Sequence, residues 1–324
     1  PALAPARPCL NPFPPATFDR EIDVCDRGTI ARVAKGANVL AGGAGGFVLA
    51  NLGQGESTAA DPHFLPAIHI GDSDADVLRA WLAANTDTVA TITPYSFDYD
   101  PANGDVMAGF SSRGPQLAFD VNKPDLTAPG VNVMGADSDN FGQYQIISGT
   151  SMSSPHNAGS GALMTTLRPD LNPVEIKSAL MLSASTEFMV KEDGVTPADA
   201  FDHGAGRVDL HAAKQADLVM DISVQDFLDA NPDLGGDPSA LNLPSMMNSN
   251  CVGSCSWTRT VTNSTKNTAH WNVTVAGDGF DAEVTVDPQS DSDDYNLKLK
   301  KGQSATITVS AVSYTHLTLP TTSP

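Results

Sequence analysis

Residues 149–156 read Gly-Thr-Ser-Met-Ser-Ser-Pro-His and lead straight into a run of small and apolar residues, Ala158, Gly159, Gly161, Ala162, Leu163 and Met164. This junction confines the chain to a tight turn that becomes a helix slim enough for close packing, with Ser151 at the entry and Gly149 and Thr150 allowing near approach. A serine there can cap the helix by accepting from its orphan backbone N–H groups. It can also be a nucleophile, because the same N–H groups stabilise negative charge developing beside a hydroxyl that is weak by itself. The octapeptide alone supports both readings.

The segment Gly149 to His156 resembles the nucleophile motif of the subtilisin-like serine peptidases (subtilases), Gly-Thr-Ser-Met-Ala-x-Pro-His, with Ser153 in place of the usual alanine. Phe110-Ser111-Ser112-Arg113-Gly114-Pro115 and the stretch from Lys123 to Val131 resemble two further segments of that family, in order. Gly204-Ala205-Gly206-Arg207-Val208-Asp209 resembles the segment that closes its catalytic domain. Ordered matches in context carry more weight than any single motif. The resemblance implies that Ser151 is the catalytic nucleophile and that its backbone N–H is an oxyanion donor. It implies structural roles for Gly149, Thr150, Met152, Pro155, His156, Gly204 and Gly206.

The family's triad runs Asp, His, Ser along the chain, so both partners of Ser151 should precede it. The upstream histidines are His63, in Asp-Pro-His-Phe, and His69, in Ala-Ile-His-Ile-Gly, and neither has the His-Gly-small context. No Asp-Ser/Thr-Gly precedes Ser151, and no segment resembles the family's oxyanion asparagine. His203, in Asp-His-Gly-Ala-Gly, follows the serine, and Asp209 belongs to the same closing segment. The chain opens at Pro1 without a charged-then-apolar leader. We therefore expect the C-terminal portion of a longer precursor, lacking the triad Asp and His and inactive alone.

The expected fold class is multidomain: a small α/β domain, the C-terminal half of a subtilisin-like α/β parallel-sheet catalytic domain, and an all-β sandwich. Asp26-Arg27-Gly28, the glycine-rich stretch from Ala37 to Asn51, Leu65 to Ile70 and Asp74 to Leu82 resemble a protease-associated domain, expected over 1–90. Within it Phe47 to Ala50 reads as a buried strand, and Ala75 to Ala84 as an amphipathic helix with Val77, Leu78, Trp81 and Leu82 along one side. Residues 91–220 are expected to supply the catalytic portion, flanked by a strand at Thr88 to Thr93, with another at Val131 to Ala136 and a helix at Pro173 to Met181. Residues 221–312 turn to alternating strands, including Ser256 to Asn263, Ala269 to Val275 and Ser304 to Ser310, and resemble an incomplete fibronectin type III-like sandwich. The tail 313–324 resembles peptide translated from adapter or vector DNA. A catalytic sheet lacking its upstream strands would expose an apolar edge, so poor autonomous solubility is expected.

With 38 acidic against 18 basic residues, the net charge of −20 disfavours nucleic acid and anionic membrane as partners. Protein or peptide substrates are what the resemblance implies. Cys9 with Cys25 and Cys251 with Cys255 form two local pairs without C-x-x-C spacing or a nearby histidine, so disulfides and secretion are expected rather than a metal site. The chemistry calls for no cofactor. Asp291-Ser292-Asp293-Asp294 lacks EF-hand spacing and reads as a solvated turn, leaving structural calcium without an identifiable site. An esterase elbow would need Gly-x-Ser-x-Gly, which Ser153 breaks. A non-catalytic binding protein built from the two outer modules is the alternative, and it leaves the nucleophile motif unexplained.

Overall fold

The structure, a computed structural model, describes residues 7–94, 100, 103–115, 118–137, 143–277 and 280–312, so the expected tail 313–324 lies outside the described residues. The chain divides into two units. The first is Pro1–Ser111, Pro129–Pro155 and Phe188–Pro197; the second is Ser112–Ala128, His156–Glu187 and Ala198–Pro324.

In the first unit, β1 (Ile22–Asp26), β2 (Gly46–Ala50) and β3 (Ala67–Ile70) form a parallel sheet in the order β1-β2-β3. α1 (Arg32–Ala41) connects β1 to β2, irregular chain connects β2 to β3, and α2 (Asp72–Ala84) follows β3. Parallel sheets bury both faces, and β2, central and buried throughout, divides its side chains by the period of two. Phe47 and Leu49 join Cys9, Phe18, Val39 and Leu65 on one side, while Val48 and Ala50 join Ile22, Val24 and Ala75 on the other. Gly43 (φ 92) follows the end of α1 and turns the chain back into β2.

The α2 helix begins three residues before the expected start, and its apolar stripe is only half the expected one. Ala75, Leu78 and Leu82 pack on the sheet, whereas Val77 is 70% and Trp81 42% exposed. The methyl of Ala75 fits against β1 and β2 and sets the rotation of the helix, which carries Val77 outward. The expected strand at Thr88 to Thr93 is likewise absent: Val89 makes a single bridge, and Ala90 and Ile92 pack on the cluster around Ala75 as irregular chain.

Asp23, on β1, is fully buried beside Arg7, at 3.2 Å. Burial raises its pKa to about 6, against the opposing pull of Arg7. The folded carboxyl therefore binds its proton more tightly than the unfolded one, whose pKa is 3.8. That contribution to stability is complete below the unfolded value and is lost as pH rises through about 6. Asp23→Asn is expected to match the parent chain near ~pH 4 and exceed it by on the order of 2 kcal/mol above ~pH 7. Thermal melts of both proteins across that range check this; a melting-temperature difference that does not grow with pH refutes it.

Residues 133–147 depart from the expected parallel sheet. β4 (Val133–Ala136) and β5 (Tyr144–Ile147) pair antiparallel, Val133 opposite Ile147. The short link from Ala136 to Tyr144 permits this hairpin, whereas a parallel crossover needs about a dozen residues or more. Elsewhere in 91–220 the parallel pairing among the described residues consists of single bridges, Val106 with Val190 and Thr127 with Arg207. α3 (Thr150–Leu167) follows β5. It carries no Asp, Glu, Lys or Arg; Ser160 and Met164 are buried along one line, and Leu163 and Leu167 are exposed.

In the second unit, α4 (Pro173–Leu182) starts as its sequence dictates. Asn172 accepts from the N–H groups of Val174 and Glu175, Glu175 returns the bond to Asn172, and Pro173 opens the first turn. Short helices α5 (Ala200–His203) and α6 (Leu210–Lys214) follow, then β6 (Leu218–Val219) and α7 (Val224–Asp229). Met164, Leu171, Ile176, Leu180, Ala213 and Val219 form one core.

The C-terminal strands are β7 (Ser254–Asn263), β8 (Ala269–Trp271), β9 (Asp281–Asp287), β10 (Leu297–Leu299) and β11 (Ser304–Val312). They make an antiparallel sheet ordered β6-β7-β11-β9 and a smaller pair β10-β8. The two share a core of Met220, Val261, Leu297, Leu299 and Ala305. The expected strand over Ala269 to Val275 ends at Trp271, because Asn296 takes both the N–H and the C=O of Val273. β6 precedes the expected limit at 220/221 and already belongs to this sheet. Buried Arg259 has main-chain partners, donating to the carbonyls of Leu243 (2.6 Å), Thr258 (2.9 Å) and Ser245 (3.0 Å).

Candidate active site

Ser151 is the second residue of α3, not its cap. It is exposed, and its Oγ bonds to no other described residue. Its own N–H falls among the helix's first, unpaired donors. Pro155, four residues on, has no N–H to give to the Ser151 carbonyl, so the first turn is loosened where the motif places it. Met152 N–H closes instead on Gly149 O at 3.0 Å.

The turn before α3 is held by the lead into β4. Gly149 N–H donates to Gly130 O at 2.8 Å, and Asn132 N–H donates to Ser148 Oγ at 2.8 Å. Asn132 takes the left-handed conformation (φ 51) that asparagine tolerates. A Cβ on Gly130 would lie 3.0 Å from Gly149 O and 3.3 Å from Ser153 Cβ. That crowding explains why position 153 takes a small residue, serine here.

Ser148, Gly149, Thr150 and Ser151 line a cavity of about 230 Å³ with Arg27, Arg32, Ser57, Thr58, Ala59 and Phe110. Arg27 follows the end of β1 and buried Asn51 the end of β2, the strand ends where open α/β sheets place their sites. Asn51 Oδ1 accepts from Arg27 Nη1 at 3.1 Å, and Asn51 Nδ2 donates to the carbonyls of Gly55 (2.7 Å) and Ser57 (3.0 Å). Arg27 also reaches Ser57 O, at 3.3 Å. Arg32 is paired with Asp61 in a two-pronged fork, Nε and Nη2 each donating to one carboxylate oxygen. The sequence reading missed these arginines as site residues; Asp26-Arg27-Gly28 was the signal, visible only as a module motif.

Neither upstream histidine lines the cavity beside Ser151, and His69 is committed to other partners. Ala59 N–H donates to His69 Nδ1 at 2.9 Å, leaving the proton on Nε2, which donates to Asn51 Oδ1 at 2.8 Å. Burial, reinforced by the charges of Arg27 and Arg32 and opposed by the Ala59 carbonyl 3.4 Å from Nδ1, brings His69 down to about 4. It is neutral near pH 7 and fully engaged. His63 packs edge-on against Phe47, ring centroids 5.0 Å apart, and burial lowers its pKa. His156 is an exposed residue of α3, and five residues of helix turn it about 140° from Ser151.

In the second unit, Gly204 (φ 65) and Gly206 (φ 127) occupy positions closed to any side chain. A Cβ at Gly206 would stand 2.5 Å from Ser185 O, and one at Gly204 would strike the carbonyl of Pro124. Buried His203 bonds the Gly204 carbonyl through Nδ1 at 3.0 Å, beside buried Asp202, which pairs with Arg113 at 3.0 Å. Asp209 caps α6 by accepting from Ala212 N–H. These are scaffold roles.

Both cysteine pairs are bridged, Cys9 to Cys25 and Cys251 to Cys255. The one metal-like cluster among the described residues, Cys9 with Asp23 and Cys25, has its sulfurs committed to that bridge. No helix among the described residues is long and apolar enough to cross a membrane.

Two family models match the chain: the Subtilase family over residues 30–207 and a Fibronectin type-III domain over residues 240–320. Among curated proteins, Subtilisin-like protease SBT1.7 of Arabidopsis thaliana is 34% identical over 317 residues, covering 85% of this chain and 41% of the relative. SBT1.6 of the same plant is 32% identical over 260 residues (74% and 34%), and SBT1.4 is 37% identical over 230 (64% and 29%). The chain thus spans less than half the length of the curated relatives it matches. The nucleophile-type turn, the glycine-locked closing segment and the match over more than half of its residues together establish that this chain belongs to the subtilase family, with a fibronectin type III domain following.

Proposed function

We propose that the chain carries the nucleophile of a secreted serine endopeptidase acting on proteins and peptides. The observation that carries this is Ser151 in the first turn of α3, exposed at a cavity, its Oγ unpartnered among described residues and its backbone N–H unpaired in the helix. Oγ attacks the peptide carbonyl and gives its proton to a general base, while the Ser151 N–H takes the developing oxyanion. The C–N bond breaks as the proton passes to the leaving amine, and water then hydrolyses the ester on Ser151. No cofactor enters these steps.

The base and its aspartate come from residues outside these 324, a reading supported by the engagement of His69 elsewhere, by the absence of His63 from the cavity lining and by the length of the relatives. The 324-residue chain alone is therefore inactive. Two disulfides support an oxidising, extracellular setting. Residues 1–90 act as a protease-associated module, 91–220 as the catalytic portion and 221–312 as the sandwich.

A fluorophosphonate, which phosphonylates activated serines, tests the proposal. We expect an adduct on Ser151, located by peptide mass spectrometry, in the protein translated from the complete coding sequence and none in the 324-residue chain. An unlabelled Ser151 in the folded complete protein overturns the nucleophile assignment and leaves a binding role; labelling of the short chain overturns its inactivity.

A further inference from the structure

Among its described lining residues, the cavity beside Ser151 holds a cation with no carboxylate in direct contact. Arg27 is half-buried, and among the described residues its side chain donates to neutral oxygens, those of Asn51 and Ser57, both through Nη1. Its neighbour Arg32 is paired with Asp61, so among the described lining residues Arg27 is the guanidinium without a direct carboxylate contact, Asp61 and Asp72 acting on it only through space. That is unusual in a chain of net charge −20, where a carboxylate partner would be easy to supply. Arg27 is also held in place: its N–H donates to Ala50 O at 2.8 Å, and buried Asn51, itself fixed by Gly55, Ser57 and His69, positions Nη1. A guanidinium keeps its charge at any physiological pH and takes carboxylates in a two-pronged fork. At about 230 Å³ the cavity is several times the ~30 Å³ share of one water and smaller than the ~300–1,000 Å³ pockets that take drug-sized ligands. It has the dimensions of a side-chain subsite.

We infer that this cavity is a specificity subsite in which Arg27 receives a carboxylate of the peptide substrate, adjacent to Ser151. The inference rests on the endopeptidase reading above. The carboxylate belongs to an Asp or Glu side chain or to the substrate's C-terminus, and Arg32, already paired, shapes the wall.

The test separates binding from chemistry. Binding of fluorescent peptides to the complete protein carrying Ser151→Ala is measured by anisotropy. The peptides come in pairs: Glu against Gln at each position along the sequence, and free acid against C-terminal amide. We expect one acidic member to bind at least tenfold more tightly than its neutral partner, the ratio falling toward one in Arg27→Gln and partly returning in Arg27→Lys. A Glu/Gln difference identifies the side chain as the source; an acid/amide difference identifies the terminus. Equal binding of both members of every pair, or an unchanged ratio in a folded Arg27→Gln protein, overturns the inference. Cleavage of the same peptides by the protein with intact Ser151 reports separately on the endopeptidase reading, so either can fail without the other.

Discussion

Replacing Ser151 with alanine in the complete protein is expected to lower kcat for peptide hydrolysis by about 10⁶, the scale of removing the nucleophile from a working triad. Without Oγ no ester forms, and what remains is the contribution of binding and of backbone N–H groups to direct attack by water, still about 10³–10⁴ over the uncatalysed rate. The loss is chemical rather than structural. Ser151 is exposed and its Oγ bonds to no described residue, so removing one oxygen should shift stability by less than ~0.5 kcal/mol. Kinetics against a quenched peptide, paired with a thermal melt, check both halves. Activity within about tenfold of the parent would remove Ser151 from the reaction, because a true nucleophile costs far more.

The second large effect lies in the scaffold. At Gly204 (φ 65, ψ −125) a Cβ would strike the Pro124 carbonyl and come within 2.7 Å of the Asp125 carbonyl. These are backbone atoms, and the segment they belong to is tied to the same stretch that would need to yield. Ala205 N–H donates to Asp125 O, Thr127 N–H to Gly206 O, and Val208 N–H to Thr127 O. Neither side can retreat without breaking the others' hydrogen bonds. Gly204→Ala combines an unfavourable backbone conformation with overpacking, about 1–3 kcal/mol each, a large share of the ~5–15 kcal/mol that holds a domain folded. Gly161→Ala is the contrast: nothing lies within 4 Å of its Cβ, and it sits inside α3. Alanine there should stabilise by up to ~1 kcal/mol. Urea denaturation should show the midpoint falling for Gly204→Ala and holding or rising for Gly161→Ala. A Gly204→Ala midpoint equal to that of the parent would exclude the close approach.

Much of the local structure was legible because its causes are local. Asn172, Pro173 and Glu175 carry a helix start within four residues. The alternation in Ser256 to Asn263 and Ser304 to Ser310 needs only the two-residue period of a pleated strand, and those strands pair in one sheet. Cys9 and Cys25 bridge as their spacing suggested. The helix face of α2 was misread for a physical reason. Hydrophobicity favours Val77 and Trp81 over Ala75, but the space above β1 and β2 admits alanine, so fit outweighed side-chain size. The stretch 88–93 has strand-like residues, yet a strand exists only where a neighbour offers its edge.

By itself, then, the sequence determined the turn that enters α3, the glycines of the closing segment, the capped helix and the alternating strands, since each is a conflict or agreement between residues a few positions apart. Tertiary structure decided what depends on residues distant along the chain: which way β4 and β5 pair, that His69 is bound up and His63 packs on Phe47 within the first unit, and that Arg27 shares a cavity with Ser151. More than a hundred positions separate Arg27 from Ser151. No local pattern links such residues; they meet because burial of β1 and β2 fixes where the strand ends point.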